Sequence, residues 1–116
     1  MAKLVRLHGR RAFDQLFRQG RVWSDELVLL RALPNGLPYI RLGVVVGRRV
    51  GKATVRNKVR RRLREMMRLL PLAEGWDMVV VARPAAAAAS YWQLREALCS
   101  LLRKAGLLLP PERAGG

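Results

Sequence analysis

Residues 42–65 decide the fold and read LGVVVGRRVGKATVRNKVRRRLRE. The stretch starts inside a strongly apolar run, Tyr39 to Gly47, which predicts a buried strand. From Val55 onward the apolar residues recur every three or four positions, which predicts a long amphipathic helix that ends before Pro71. Nine basic residues and no acidic one lie between Arg48 and Arg64, so this strand leads into a strongly cationic helix.

The basic residues of this helix share one side. At ~100° per residue the apolar side chains cover an arc of about 120°, and the opposite side carries Arg60, Arg64, Asn57, Arg68 and Arg61, flanked by Lys58 and Arg62. A solvated helix face usually mixes both signs of charge, because like charges four residues apart destabilise a helix. Here Glu65 alone supplies the opposite sign. Since guanidinium groups suit phosphate oxygens, we favour phosphate binding over simple solvation.

The composition supports a nucleic-acid partner. The chain has 116 residues, with 23 Lys and Arg against 8 Asp and Glu, which gives a net charge of +15. Its 51% hydrophobic content is enough for a folded core, so charge-driven disorder is not expected. We expect a single domain over residues 1–116, with residues 1–9 and 107–116 loosely ordered. A polyanion explains such a field best, with nucleic acid ahead of an acidic membrane.

Three further elements are predicted before the decisive stretch. Residues 10–19 have helical spacing, and Gly20 follows where a left-handed C-terminal cap is favoured. Leu27 to Leu33 is a second apolar strand, and residues 34–38 contain the Pro, Asn and Gly of a turn. We therefore expect the strands Leu27–Leu33 and Tyr39–Gly47 to form an antiparallel hairpin.

Beyond the basic helix, Met78 to Ala82 predicts a buried strand. Ala85 to Ala89 would be helical on propensity alone, but the proline before it and the cap after it favour a connection or a ragged extra turn. Ser90 and Gln93 form a capping box that opens a last helix, which runs to Gly106.

The sequence offers little for intrinsic catalysis. His8 stands alone and the acidic residues are scattered, so no catalytic residue and no metal site is predicted. The single cysteine, Cys99, excludes an internal disulfide framework and predicts no disulfide-linked partner. No apolar run is long enough to span a bilayer, and we expect a cytoplasmic protein. The Arg-rich first 21 residues could pass for a transit peptide, but their helical spacing of aromatic residues favours a folded helix.

Residues 42–65 closely resemble the signature of the bacterial ribonuclease P protein component. In that family a strand and two basic residues, here Arg48 and Arg49, lead through a glycine to an Arg-Asn-Arg element that opens the basic helix. The element reads Arg56-Asn57-Lys58 here. The likeness extends from about Phe13 to the helix after Ser90 and covers most of the chain.

The resemblance implies a non-catalytic protein that joins a large catalytic RNA to remove the 5′ leader of precursor tRNA. The RNA would perform the hydrolysis with Mg²⁺, and the protein alone would bind no cofactor. The implied fold is an α+β sandwich of order αβββαβα, ribosomal-protein-like, with a mixed sheet and a left-handed βαβ crossover, against the usual right-handed preference. That order needs one more strand than our assignment, either within residues 39–50 or just before Leu27.

The resemblance also implies two RNA-binding sites. The catalytic RNA would contact the basic helix and the segment before it, through Arg48, Arg49, Lys52, Arg56, Asn57, Lys58, Arg60, Arg61, Arg64 and Arg68. The single-stranded leader would lie in a cleft between the first helix and the sheet, lined by Phe13, Phe17, Val28, Leu30 and Val45. From spacing alone, packing of the two phenylalanines into the core is favoured over a stacking platform for unpaired bases. No membrane partner is expected.

Two positions depart from the family pattern. Lys58 keeps the charge of the Arg-Asn-Arg element but lacks the bidentate guanidinium fork. Leu30 stands where an aromatic residue is common, so the cleft is expected to hold the leader through van der Waals contacts and the phenylalanines. The alternatives are a ribosomal or other structural RNA-binding protein, a nuclease in its own right, and a membrane-binding basic helix.

Overall fold

The computed structural model describes residues 2–110, which form a five-stranded sheet and three α-helices. The strands are β1 (Leu4–Arg6), β2 (Arg21–Ser24), β3 (Val28–Pro34), β4 (Ile40–Val46) and β5 (Trp76–Ala82). The helices are α1 (Arg10–Gln19), α2 (Ala53–Leu69) and α3 (Tyr91–Lys104), with short 3-10 turns at Arg48–Val50 and Pro84–Ala88. From α1 onward the order is αβββαβα, which confirms the implied fold.

The sheet has the order β1-β4-β5-β3-β2. The central strand, β5, pairs in parallel with β4 and antiparallel with β3, so β3 and β4 are not neighbours. The predicted hairpin of Leu27–Leu33 with Tyr39–Gly47 is therefore wrong. Apolar runs and turn residues predict strands and a turn, but they do not reveal that a later strand inserts between the two. The additional strand is β2, which lies just before Leu27.

The two faces of the sheet carry different helices. Leu30, Leu42 and Val80 point to one face, where they form the main core with α2 and α3. Val79 points to the other face and packs with Leu16 of α1. The unit β4–α2–β5 is a parallel crossover, as the resemblance implies, and its left hand stays a prediction.

The helix α1 covers the predicted residues, but its C-terminal end differs from the prediction. Gly20 has φ −70° and is extended, so the expected left-handed cap is wrong. A Cβ atom at Gly20 would lie 2.4 Å from the carbonyl oxygen of Leu16 and 3.2 Å from that of Ala32. Glycine is needed here because the chain passes close to other backbone, not because of an unusual φ.

The capping box of α3 is confirmed. The Gln93 N–H donates to Ser90 Oγ at 3.1 Å, and the Ser90 N–H donates to Gln93 Oε1 at 2.8 Å. The alanine run before it is the short 3-10 turn at Pro84–Ala88, and Ala86 is buried within it. Such a turn is the ragged extra turn that the flanking proline and cap predict.

The expectation of loosely ordered ends is wrong for two segments. β1 pairs with β4, and Leu7 directly after it is buried. Near the other end Leu107 is buried, and the Leu109 N–H donates to the Pro71 carbonyl at 2.8 Å. The sequence missed both because each segment is too short to show a hydrophobic period. Residues 111–116 lie outside the described part of the chain.

Candidate RNA interface

The helix α2 divides into a core side and a cationic side, as its sequence predicts. Val59, Leu63, Met66 and Met67 are buried against the sheet and α3. The opposite side, which we call the cationic face, is exposed or half-buried and consists of Asn57, Lys58, Arg60, Arg61, Arg64 and Arg68. Burial of one side therefore fixes the direction in which these charges point.

Carboxylates do not neutralise the cationic face. Within residues 2–110 the structure contains one ion pair, between Arg41 and Asp77, and both partners lie in the sheet. On α2 the Arg60 Nη1 donates to Asn57 Oδ1 at 2.9 Å, a neutral partner that orients the guanidinium and leaves its charge intact. The positive charge of this face is therefore available to an external anion.

The start of α2 adds to this positive surface. Arg48, Arg49 and Lys52 are exposed in and after the 3-10 turn. Lys52 occupies the N-cap position without a side-chain cap, and the first turn of α2 holds no acidic residue. Because a helix N-terminus carries partial positive charge, these side chains and the helix end have the same sign. Arg56 is half-buried, and its Nε has no hydrogen-bond partner in the described chain.

A groove of about 930 Å³ runs between the cationic face and the edge of the sheet. Arg60, Arg61, Arg64 and Arg68 line one wall, β1 and the middle of β4 line the floor, and His8 and Phe13 lie at the start of α1. Arg6 and His8 are lining residues that the sequence missed, because nothing in the sequence predicted β1. The groove connects the cationic face to the first helix.

The second surface, which we call the α1-side cleft after the predicted leader site, lies on the sheet face that carries α1. Val45, Val81 and Leu29 occupy one row across β4, β5 and β3 and form its floor. Phe13 packs so closely over β4 that a Cβ at Gly43 would lie 2.8 Å from its Cζ. The ring of Phe13 is half-buried, so this residue belongs both to the core and to the wall of the cleft.

Phe17 completes the wall of the α1-side cleft and is 41% exposed, and Val45 on the floor is 38% exposed. The guanidinium of Arg31 lies 4.8 Å from the centre of the Phe17 ring. Arg31 Nη1 also donates to the Phe17 carbonyl oxygen at 3.0 Å. Phe13, Phe17 and Val45 therefore lie on the same side of the sheet, where Phe13 packs over β4 and Phe17 contacts Arg31 of β3.

Two predicted cleft residues lie elsewhere. Val28 and Leu30 are 0% exposed and point into the main core on the opposite face, so their assignment to the cleft is wrong. The strand residues that face α1 are Leu29, Arg31 and Leu33, one position out of register with the prediction. Apart from Arg31, the residues of β3 are apolar on both faces, so the alternation of polar and apolar residues could not show which of them face α1. The polar residue Arg31 was the available signal.

The same face of the sheet holds an ion pair in which Asp77 is buried and Arg41 is partly exposed. Arg41 Nε and Nη2 donate to the two carboxylate oxygens of Asp77 at 2.7 and 2.6 Å. Asn35 Nδ2 donates to Asp77 Oδ1 at 2.9 Å, which ties the turn after β3 to the start of β5. Hydrogen bonding to Asp77 raises the pKa of Arg41 above its ordinary value. This network joins β4, β5 and the turn after β3.

Other kinds of site find little support in the described residues. Over residues 2–110 no three His, Cys, Asp or Glu side chains come together as a metal site. In the same part of the chain each helix is too short or too polar to cross a lipid bilayer. His8 is exposed, and Cys99 is buried in α3 as a free thiol.

Known proteins resemble this chain over nearly its whole length. The family model for ribonuclease P matches residues 1–106, which include the cationic face and the α1-side cleft. The ribonuclease P protein component of Roseiflexus castenholzii is 40% identical over 111 residues, which are 93% of this chain and 91% of that protein. The component of Thermus brockianus is 46% identical over 106 residues, and the match covers 91% of this chain but 63% of the longer relative.

A solved structure agrees with these sequence matches. The RNase P protein from Thermotoga maritima superposes with a TM-score of 0.75 and is 37% identical. The superposition covers 85% of this chain and 96% of that one. Sequence and fold therefore point to the same group of proteins.

Proposed function

The chain belongs to the bacterial ribonuclease P protein family and is the RNA-binding subunit of that ribonucleoprotein, and from this premise we propose how it holds two RNAs. The cationic face of α2 binds the catalytic RNA, and the α1-side cleft binds the single-stranded 5′ leader of precursor tRNA. The catalytic RNA performs the hydrolysis with Mg²⁺, and the protein contributes no reacting group. Removal of the leader takes place in the cytoplasm, where precursor tRNA is made.

The unneutralised cationic face carries this proposal. Arg60, Arg64 and Arg68 follow one another at four-residue intervals, about 6 Å apart along the helix axis. Their mutual repulsion opposes helix formation, and no carboxylate within residues 2–110 lies within 4.0 Å of their guanidinium groups. RNA phosphates would relieve it, and guanidinium groups can donate two parallel hydrogen bonds to a phosphate.

The geometry of the α1-side cleft supports leader binding. An unpaired base can stack on an aromatic ring, whereas a base inside a duplex is covered on both sides. Phe17 presents a partly exposed ring, and Val45 is a partly exposed apolar residue on the same face of the sheet. The cleft therefore suits single-stranded RNA, and the adjacent cationic groove can hold the same strand by its phosphates.

The first test removes charge from the cationic face. We expect Arg60→Ala with Arg64→Ala to weaken binding of the catalytic RNA and to lower the slope of log K against log salt by roughly 0.7 to 0.9 per lost phosphate contact. Filter binding at several salt concentrations measures both quantities. The matched control is Arg95→Ala with Arg103→Ala on α3, which removes the same charge from exposed positions. Equal slopes for the two double variants would contradict the assignment.

The second test removes the exposed ring. In the reconstituted holoenzyme, Phe17→Ala should weaken binding of precursor tRNA by roughly 1–3 kcal/mol and leave binding of mature tRNA unchanged, because one stacked base is lost. Trp92→Ala serves as the control, because Trp92 is an exposed aromatic residue on α3, away from the cleft. Equal losses for both RNAs would show that the ring does not contact the leader.

A third measurement separates a binding subunit from a nuclease. Protein that is free of RNA should not cleave precursor tRNA in Mg²⁺, and addition of the catalytic RNA should restore leader removal. The protein should help most at low Mg²⁺, where its charges replace metal ions in neutralising phosphates. Cleavage by the RNA-free protein would overturn the proposed division of labour.

A further inference from the structure

Arg31 is a charged residue in the middle of an otherwise apolar strand. It pairs with Val79 of β5 and Val22 of β2, and its side chain lies on the face that carries α1. No carboxylate of the described chain lies within 4.0 Å of it. A half-buried cation without a counter-charge costs free energy, so its presence in the floor of a cleft calls for an external partner.

The hydrogen bonds of Arg31 leave most of its donors unused. A guanidinium carries five N–H donors. One Nη1 donor reaches the Phe17 carbonyl oxygen at 3.0 Å, and no other hydrogen bond of this side chain occurs within residues 2–110. The Nε–H is shielded from solvent and unpartnered. The remaining N–H groups at the tip of the side chain are free to meet an anion.

The contacts of Arg31 also fix where that anion would lie. The guanidinium is 4.8 Å from the centre of the Phe17 ring, and the hydrogen bond to the Phe17 carbonyl holds it there. Phe17 is 41% exposed, so its ring remains open to a stacking partner. An aromatic surface and an unpaired cation in contact match the two halves of one nucleotide, its base and its phosphate.

We infer that Arg31 binds a leader phosphate, and that Arg31 and Phe17 together hold one unpaired nucleotide, with its base on the ring and its phosphate on the guanidinium. This inference rests on the proposed function of the α1-side cleft and adds a charged contact to it. Arg31 also positions the Phe17 ring. The leader is thus held by charge and stacking at the same nucleotide.

The test uses the reconstituted holoenzyme and precursor tRNAs that carry a single uncharged methylphosphonate linkage, moved one position at a time through the leader. Arg31→Met keeps the stem of the side chain and removes every donor. We expect Arg31→Met to weaken binding of the unmodified precursor about ten-fold, the size of one charge-assisted hydrogen bond, and to leave mature tRNA unchanged. With wild type, the modified linkage should cause a similar loss at one leader position. With Arg31→Met, the modified linkage at that position should cause no further loss of affinity.

Two variants separate phosphate binding from support of the ring. Arg31→Lys keeps the charge but loses the planar group beside Phe17, so it should remain sensitive to the same modified linkage. Arg103→Met removes one charge from α3 and should behave as wild type. Circular dichroism and urea unfolding of each variant check that the fold is kept.

The outcomes also separate this inference from the function on which it rests. If wild type binds precursor and mature tRNA equally, the leader assignment of the whole cleft fails. If wild type prefers the precursor and Arg31→Met retains the full preference, the Arg31 inference alone fails. If Arg31→Met loses affinity but stays as sensitive as wild type to the modified linkage, Arg31 supports the ring and binds no phosphate.

Discussion

Asp77 is the one charged side chain that is buried within residues 2–110, at 5% exposure. Its burial is tolerated because Arg41 and Asn35 together donate three hydrogen bonds to its carboxylate. A bidentate guanidinium–carboxylate pair supplies charge and geometry at once. Removing one partner leaves the other buried and unpaired, which costs more than the pair itself contributes.

We predict that Arg41→Met destabilises the protein by about 3 kcal/mol, the low end for a broken buried pair because Arg41 is partly open to water. In wild type the raised pKa of Arg41 means that its contribution is fully present below the ordinary arginine pKa and is lost only as pH rises through the folded-state value. The contribution of this pair to the free energy of unfolding of the wild type should therefore not change between about pH 5 and pH 9. Urea unfolding across that range measures it.

The Arg41→Met variant should unfold at a lower urea concentration than a matched surface variant, because it leaves the Asp77 carboxylate buried without its guanidinium partner. The control is Arg95→Met, an exposed arginine without an ion pair within residues 2–110. An Arg41→Met variant as stable as this control would show that the network is dispensable.

Two glycines allow close contacts of different kinds. An added Cβ at Gly20 meets the Leu16 carbonyl oxygen at 2.4 Å, whereas at Gly43 it meets the tip of the Phe13 ring at 2.8 Å. A ring can move and a helix backbone cannot. We predict that Gly20→Ala costs about 1–3 kcal/mol or more and that Gly43→Ala costs less, because overpacking is relieved where a side chain can shift. Chemical denaturation of both variants tests this order.

Gly43→Ala carries a second consequence. Since the Phe13 ring must lift away from β4, the wall of the α1-side cleft changes shape, and precursor tRNA should bind more weakly while the catalytic RNA binds as before. An equal effect on both RNAs would contradict the place of Phe13 in the cleft.

At the residue scale the sequence predicted the charged residues better than the apolar ones. The cationic face follows from the helical period, because one apolar stripe fixes the opposite side. The face of β3 does not follow, since Val28, Leu29 and Leu30 are all apolar. Polar residues inside strands mark the face of α1, as Arg31 and Asp77 both do.

At the scale of the element, α2 carries like charges at a cost to its own stability. Arg64 has like charges four residues away on both sides, at Arg60 and Arg68, and no carboxylate of residues 2–110 within 4.0 Å. Each such pair destabilises a helix by about 0.2–0.5 kcal/mol.

We predict that Arg64→Gln makes the free protein slightly more stable, by roughly 0.4–1 kcal/mol from two relieved pairs, and weakens its binding to the catalytic RNA. Thermal unfolding and filter binding measure the two effects. Lys104→Gln is the control, because it removes one charge from the end of α3. A loss of stability in Arg64→Gln would mean that this arginine is already neutralised within the chain.

Helices were predicted more accurately than strand pairing. Each helix carries its own evidence in its period and its caps, as the Ser90–Gln93 box shows. Strand pairing depends on partners that are distant in sequence, and the run before Pro34 holds no sign that β5 will insert beside it. β1 was missed for the same reason, since three residues make a strand only when β4 is present to pair with them.

At the scale of the whole molecule, the net charge of +15 affects both the stability of the free protein and its affinity for RNA. Screening weakens self-repulsion, and the Debye length falls from about 10 Å at 0.1 M salt to about 3 Å at 1 M. We predict that the melting temperature of the free protein rises with added sodium chloride, while its affinity for RNA falls. Calorimetry and filter binding over one salt series test both directions. A melting temperature that falls with salt would show that favourable ion pairs outweigh the repulsion.

The central place of β5 determines the order in which the protein can assemble during translation. A nascent chain that has reached residue 75 possesses β1, β4, β2 and β3, but no strand to join the two pairs. The ribosome therefore releases the arginine-rich helix before the strand that completes its scaffold. Until β5 has joined the sheet, the arginine-rich helix therefore lacks part of the surface against which it packs in the folded protein.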